Sequence, residues 1–327
     1  MANRARVREQ RLLIPYGRRP NGTPSEAAST LPIDEVVHGD CLSVLRTFPD
    51  ESVDLVVTSP PYADNRKSTY GGTRVDRYVQ WFLPISAEIK RVLRPDGSFV
   101  LNIKERTVDG ERHTYVLELI LAMKGQGWLW TEEYVWHKKN CYPGKWPNRF
   151  RDAWERCLHF TKAKRFKMYQ DAVMVPMGVW AEKRLQNLSD TDRIRDESRA
   201  LSGFGKNVSN WVGKKSVYPT NVLHLATECS NRNHSAVFPV ALPSWFIKLF
   251  TQPGDIVLDP FMGSGTTALC CIELDRQFVG VELREEYCKS AMDAVSARRA
   301  LVSAVRAKNG GDAPQHLGEG AAQDIEA

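Results

Sequence analysis

The chain has 327 residues, 42% hydrophobic and 26% charged, with a net charge of +6, which is enough apolar content for one substantial core and a smaller appended unit. No run approaches the roughly 18 apolar residues of a membrane span, and the arginine-rich N-terminus lacks the apolar core of a secretory signal; this argues against membrane-spanning and secreted classes, and a cytoplasmic protein is expected. The seven cysteines form no CxxC pair, and Cys229 and His234 stand without further ligands nearby, so no metal or redox centre is expected.

Residues 1–19 hold six arginines, Arg4 to Arg19, against the single acid Glu9. From residue 31 short β-branched runs alternate with stretches of helical period, the pattern of an α/β domain with a largely parallel sheet. Strands are predicted at 35–38, 53–58, 98–103, 130–136, 156–160, 256–258 and 277–281, and helices at 78–93, 113–124 and 242–250. The first helix stops at Arg94-Pro95-Asp96-Gly97, a turn feeding the next strand.

Residues 163–233 break the rhythm. They are polar, include Ser202-Gly203-Phe204-Gly205 and scattered Tyr and Trp, and read as an inserted module. Residues 162–215 hold twelve Lys or Arg against six Asp or Glu. Two basic segments on an otherwise acidic body suit a protein that meets phosphates, although a solvated tail and loop would give the same pattern. The last stretch, from Asn309, is rich in Gly, Ala and acids and reads as disordered. The chain thus divides into a basic arm (1–30), a first half-domain (31–162), the insertion (163–233), a second half-domain (234–305) and a tail (306–327).

In the second half-domain Asp259-Pro260-Phe261-Met262-Gly263-Ser264-Gly265-Thr266-Thr267 is the end of a strand running into a glycine turn that opens a helix. Such a turn lets a ligand approach the backbone and offers unpaired N–H groups to an anion. Glu282, 17 residues beyond Gly265, ends the next strand, where an acid can accept hydrogen bonds from ribose hydroxyls. A dinucleotide or an adenosyl cofactor would satisfy this pair. Asp259 favours the second, because it would repel a pyrophosphate and could hold the methionine ammonium of S-adenosylmethionine.

In the first half-domain Thr58-Ser59-Pro60-Pro61-Tyr62 follows an apolar strand, at the carboxyl edge where parallel sheets place their sites. The two prolines remove N–H donors and leave carbonyls to accept. Ser59 and the Pro60 carbonyl could therefore accept hydrogen bonds from an aromatic amine and draw its nitrogen toward a nucleophilic geometry. Tyr62 could stack on a flipped base.

These motifs resemble those of the permuted β class of amino-methyltransferases found in restriction-modification systems, over most of residues 33–290. His38-Gly39-Asp40 is similar to the segment whose acid contacts the cofactor adenine. Thr58 to Tyr62 matches the catalytic motif, and Phe238-Pro239 is similar to the lead-in before the glycine turn. The segment from Trp136 to Lys162 is similar to the one flanking the flipped-base pocket. The resemblance implies a Rossmann-like, circularly permuted sheet with an inserted target-recognition region, and S-adenosylmethionine as cofactor. Its implied cofactor contacts are Asp40, Thr58, Phe238, Asp259, Pro260, Phe261, Gly263, Gly265, Thr266 and Glu282. Ser59, Pro60, Pro61 and Tyr62 would form the catalytic loop.

Double-stranded DNA is the implied partner, with Lys162, Lys164, Arg165, Lys167, Lys206, Lys214 and Lys215 as candidate phosphate contacts. The resemblance is compatible with a cognate restriction endonuclease acting separately, and with either a monomer or a homodimer. Ser59, in place of aspartate or asparagine, favours cytosine N4 over adenine N6. A DNA-binding protein of the same fold without catalysis is the remaining alternative. A cytosine ring-carbon enzyme needs a cysteine nucleophile, usually in Pro-Cys, and no cysteine here follows a proline.

Overall fold

The computed structural model describes residues 30–64, 72–141, 144, 147–188, 211–227 and 238–308. The basic arm, Lys206, Cys229, His234 and the tail from Asn309 lie outside them. The first half-domain runs β1 (Glu35–His38), α1 (Cys41–Leu45), β2 (Val53–Thr58), α2 (Tyr78–Val92), β3 (Leu93–Ile103), a short hairpin of β4 (Thr107–Val108) and β5 (Glu111–Arg112), α3 (Tyr115–Gly125), β6 (Leu129–Lys138) and β7 (Trp154–Thr161). Next come β8 (Val175–Pro176), α4 (Val179–Gln186), β9 (Ser216–Val217) and β10 (Val222–Leu225). The second half-domain holds α5 (Ala241–Phe250), β11 (Ile256–Asp259), α6 (Thr266–Glu273), β12 (Gln277–Glu282) and α7 (Glu285–Lys308).

Eight strands form one sheet in the order β1-β12-β11-β2-β3-β7-β6-β10. All neighbours are parallel except β7, which runs against both β3 and β6. The α/β sheet expected from the sequence is present. Every residue of β2 is buried, as a strand covered on both faces requires. Val53 and Val56 join a core with Tyr78, Phe82 and Ile89 of α2 and Leu119 of α3. Leu55 and Val57 point to the other core, with Phe246 and Phe250 of α5 and Cys270 of α6. The sheet is therefore the middle of three layers.

Several elements differ from the sequence reading. Leu93 pairs with Val53 and Ser98 with Leu55, so Arg94 to Gly97 form a bulge inside β3 and not a turn before it. A Cβ on Gly97 would lie 2.7 Å from the Asp54 carbonyl, so only glycine lets the bulge close on β2. Val222 to Leu225, inside the segment read as an insertion, pair with β6 and extend the main sheet. Helix α7 continues through residues 306–308, assigned above to the tail.

Asp54 is 1% exposed and fastens three separate segments at the amino edge. Its Oδ1 accepts from Arg94 at 3.0 Å and Lys167 at 2.9 Å, and its Oδ2 accepts from the Ile256 backbone N–H at 3.0 Å. Asp54→Ala leaves two cations and a backbone donor without their acceptor, and it is expected to cost about 3 kcal/mol. Urea unfolding measures this; a loss under about 0.5 kcal/mol, typical of a surface substitution, would contradict the fastening role.

Candidate active site

Two strands far apart in sequence meet at the centre of the sheet, and their carboxyl ends are tied directly. The Thr58 hydroxyl, at the end of β2, donates to Asp259 Oδ1 at 2.5 Å across 201 residues of sequence. Thr267 donates to Asp259 Oδ2 at 2.6 Å, and the Phe261 backbone N–H donates to Oδ1 at 3.0 Å. Asp259 is 1% exposed. The expectation that it holds a methionine ammonium is therefore corrected in form: its carboxylate is turned into the protein, where it shapes the glycine turn, and any effect on a cofactor passes through that shape.

The turn has the geometry expected of it. Gly263 (φ +56°) is left-handed, and a Cβ there would meet nothing within 4 Å, so the backbone faces open space. Gly265 (φ +92°) is left-handed too, but its would-be Cβ lies 3.0 Å from Ala291 Cβ, so this glycine serves close packing of α6 on α7. Thr266 begins α6. Glu282 Oε2 accepts the Gly263 N–H at 2.9 Å, and its Oε1 accepts the Arg284 N–H at 2.9 Å. Burial raises its carboxyl above the usual range, against these two bonds.

Around the turn, Pro260 is buried, and Phe261 packs its ring 5.9 Å from Trp81 of α2. Asp40 caps α1 through Ser43 and stands beside β12, because the Gly39 N–H donates to the Glu282 carbonyl. Phe238 packs against the second core. An open left-handed glycine, a helix start and the Asp40 and Glu282 carboxylates on one edge fit an adenosyl cofactor with an amino-acid tail.

The catalytic loop lies beside this cradle. The Ser59 hydroxyl donates to the Tyr62 hydroxyl at 3.3 Å, and Tyr62 donates to Glu155 Oε2 at 2.6 Å, with Asn102 Oδ1 3.1 Å away. Lys138 closes the group with an ion pair to Glu155 Oε1 at 2.6 Å, and Glu155 is buried. Burial and the Glu155 carboxylate hold the Tyr62 hydroxyl protonated, well above an ordinary phenol. The Pro61 carbonyl accepts the Tyr78 hydroxyl at 3.0 Å. The Pro60 carbonyl accepts no hydrogen bond among the described residues, so it and the Ser59 lone pairs are the acceptors available to an amine. A line of groups from Ser59 through Tyr62 to Glu155 can carry away a proton that such an amine sheds.

Sequence reasoning missed Asn102, Lys138 and Glu155. Lys138 and Glu155 fall within the 136–162 segment likened to the one flanking a flipped-base pocket, but only pairing of β7 beside β3 and β6 brings Glu155 to Tyr62.

The basic residues separate by position. Because β7 is antiparallel, the chain leaves it at the edge opposite the catalytic loop. Lys162 and Lys167 pair there with Glu51 and Asp54, and Lys164 and Arg165 lie between them. The length of β2, about 13 Å from Asp54 to Thr58, divides all four from Ser59. All four lie at the amino edge, on the side of the sheet opposite the catalytic loop. Lys214 and Lys215 are exposed beside β9, with the Lys214 ammonium 4.7 Å from the Trp211 ring centroid.

A glycine turn, a second-strand acid and an amine-accepting loop on one edge of a permuted sheet define a methyltransferase. The model of the N6/N4 methyltransferase family, described as DNA methylase, matches residues 53–293, and the chain belongs to that family of DNA methyltransferases. It is 30% identical over 298 residues to the type II methyltransferase M.PvuII of Proteus hauseri, covering 84% of this chain and 85% of the relative. Identity to the type II methyltransferase M.BglII of Bacillus subtilis is 30% over 284 residues, covering 84% and 72%. The solved structure of the PvuII DNA methyltransferase, titled cytosine-N4-specific, superposes with a TM-score of 0.58 at 25% identity, over 82% of this chain and 91% of that one. A complex of M1.HpyAVI with S-adenosylmethionine shares the fold, with a TM-score of 0.51 at 22% identity over 80% and 98%. No helix among the described residues is long and apolar enough to cross a membrane.

Two expectations follow. Glu155→Gln removes the proton-accepting charge while keeping a similar shape, and it should lower kcat by about 100-fold with cofactor affinity little changed. Single-turnover methylation with a parallel binding titration measures both; an equal loss in binding would contradict the role. Burial pushes Asp259 up to about 6. Its protonation adds stability that is fully present below the ordinary value of 3.8 and is lost as pH rises through about 6. Acidification through that window therefore takes an acceptor from the Thr58–Thr267 clamp without unfolding the protein through this residue. Affinity for S-adenosylmethionine, measured by calorimetry, should fall between about pH 7 and about pH 5 with circular dichroism unchanged; a level affinity would contradict the clamp.

Proposed function

We propose that this enzyme transfers a methyl group from S-adenosylmethionine to the exocyclic N4 of a cytosine flipped out of duplex DNA, by direct in-line transfer. The observation that carries the reading is the pair of acceptors at Ser59 Oγ and the Pro60 carbonyl, beside a Tyr62 ring pinned by Glu155 and Asn102. Two acceptors on an aromatic amine favour a nitrogen whose lone pair has left the ring. The fixed ring of Tyr62 offers a face on which an extruded base can stack. Support for cytosine comes from the serine at position 59 and from the likeness to M.PvuII, whose structure is titled cytosine-N4-specific.

When bound, the cofactor supplies a sulfonium-activated methyl group. The chain's own residues do the rest by positioning. Gly263 leaves open space beside the turn, and the N–H groups at the start of α6 would hold the carboxylate of the cofactor. Asp40 and Glu282 would hold the adenosine, and the Thr58–Asp259 bond fixes the distance from that cradle to Ser59. The proton released from the methylated amine leaves through Ser59 and Tyr62 to Glu155.

The test is to incubate the enzyme with labelled S-adenosylmethionine and unmodified DNA, digest to nucleosides and identify the labelled one by mass spectrometry. Label on cytosine N4 is expected, and label on adenine would overturn the base assignment. Ser59→Ala should reduce kcat by about 100-fold, as loss of one preorganised contact to a reacting group does, with cofactor affinity within about 2-fold.

A further inference from the structure

The loop between β6 and β7 springs from the catalytic edge and holds out an apolar ring. Phe150 is 97% exposed, against 69% for Leu121, the next most exposed large apolar side chain among the described residues. Single exposed apolar residues are common, but this one is held in place on both sides. Before it, Arg149 hydrogen-bonds the Thr107 hydroxyl of β4. After it, Arg151 donates to the Cys141 carbonyl at 3.3 Å. Asp152 then pairs with Arg112 at 2.5 Å and Lys104 at 3.3 Å.

Among the described residues, some cations of this edge are paired with acids, while Arg149, Arg151 and, beside Thr107, Arg106 have no acid partner. Lys104, Arg112, Lys138 and Arg156 each have a carboxylate partner. Arg149 and Arg151, the immediate neighbours of Phe150, have none among the described residues, and each spends a guanidinium nitrogen on a neutral oxygen. A ring flanked by two uncompensated arginines is complementary to a base step between two phosphates.

Location adds the third observation. Glu155, whose carboxylate holds Tyr62, is five residues beyond Phe150, and a chain of that length spans at most about 18 Å. Phe150 therefore lies within reach of a duplex whose target base is delivered to Ser59.

We propose that Phe150 is a wedge that enters the DNA base stack where the target is extruded, with Arg149 and Arg151 contacting the adjoining phosphates. This rests on the base-flipping reading above. Extrusion leaves the neighbouring bases without a stacking partner, and an aromatic ring supplies one.

The experiment first maps the methylated sequence on unmethylated phage lambda DNA with the wild-type enzyme. Two synthetic duplexes containing that sequence follow, one with the target base paired and one with it mispaired, and a third carries 2-aminopurine in place of the target. Phe150→Ala is expected to lower kcat/KM on the paired duplex by roughly 10-fold or more and to lose the 2-aminopurine fluorescence rise. On the mispaired duplex, where opening is already favoured, the loss should shrink to less than about 3-fold. Phe150→Trp should retain activity, and cofactor binding should be unchanged in both variants. An equal loss on both duplexes, no loss on either, or a loss accompanied by a change in oligomeric state would overturn the wedge. Failure of the wild-type enzyme to methylate lambda DNA would instead overturn the reading on which the proposal rests.

Discussion

The buried hydrogen bond from Thr58 to Asp259 joins the two halves of this enzyme at the point where chemistry must occur. It links the carboxyl ends of β2 and β11, so the catalytic loop and the cofactor turn cannot move independently. The same two strands are fastened at their other ends by Asp54, which accepts the Ile256 backbone N–H. A buried carboxylate at each end thus holds the central pair in register. Burial raises Asp259 to about 6, so the charge is retained at a cost, offset by three donors aimed at it.

From that pair the site extends outward along one sheet edge. On one side are Gly263, Glu282 and Asp40, from β11, β12 and the end of β1. On the other are Asn102, Glu155 and Lys138, from β3, β7 and β6. Tyr62 is the meeting point, with its hydroxyl held by the second group and its loop anchored through Pro61 to Tyr78. Glu282, Asn102, Glu155 and Lys138 stand on strands, and Gly263 and Asp40 on short turns at strand ends, which suits a reaction that depends on holding an amine in line with a methyl group. Charge follows the same geometry. Lys162 and Lys167 bind acids at the amino edge, while Arg149 and Arg151, without acid partners among the described residues, flank Phe150 on the catalytic side.

Most of the sheet was legible locally. The apolar run Leu55–Val57 predicts a strand, and the glycine turn after β11 predicts a helix start, because both depend on neighbours within a few residues. The five-residue α1 carries too little periodicity to be seen. The four-residue β10 owes its place to β6, more than 80 residues earlier. The Arg94–Gly97 segment has turn composition, yet it forms a bulge, because Asp54 binds Arg94 and Gly97 packs on the Asp54 carbonyl. The lysines after β7 are candidate phosphate contacts by their place in the chain; the reversed direction of β7 sets them at the amino edge, opposite the catalytic loop.

The sequence by itself determined the chemistry on offer: a loop with two prolines that can accept an amine, a glycine turn with acids around it, and their permuted order. These are properties of backbone torsion and side-chain type at short spacing, and they survive without knowledge of the fold. Tertiary structure alone decided how those parts act. It turned Asp259 inward to clamp Thr58, placed Glu155 and Lys138 beneath Tyr62, and moved the basic cluster away from Ser59. Each of these rests on strand order and direction, which join residues tens to hundreds of positions apart and leave no periodic trace in the chain.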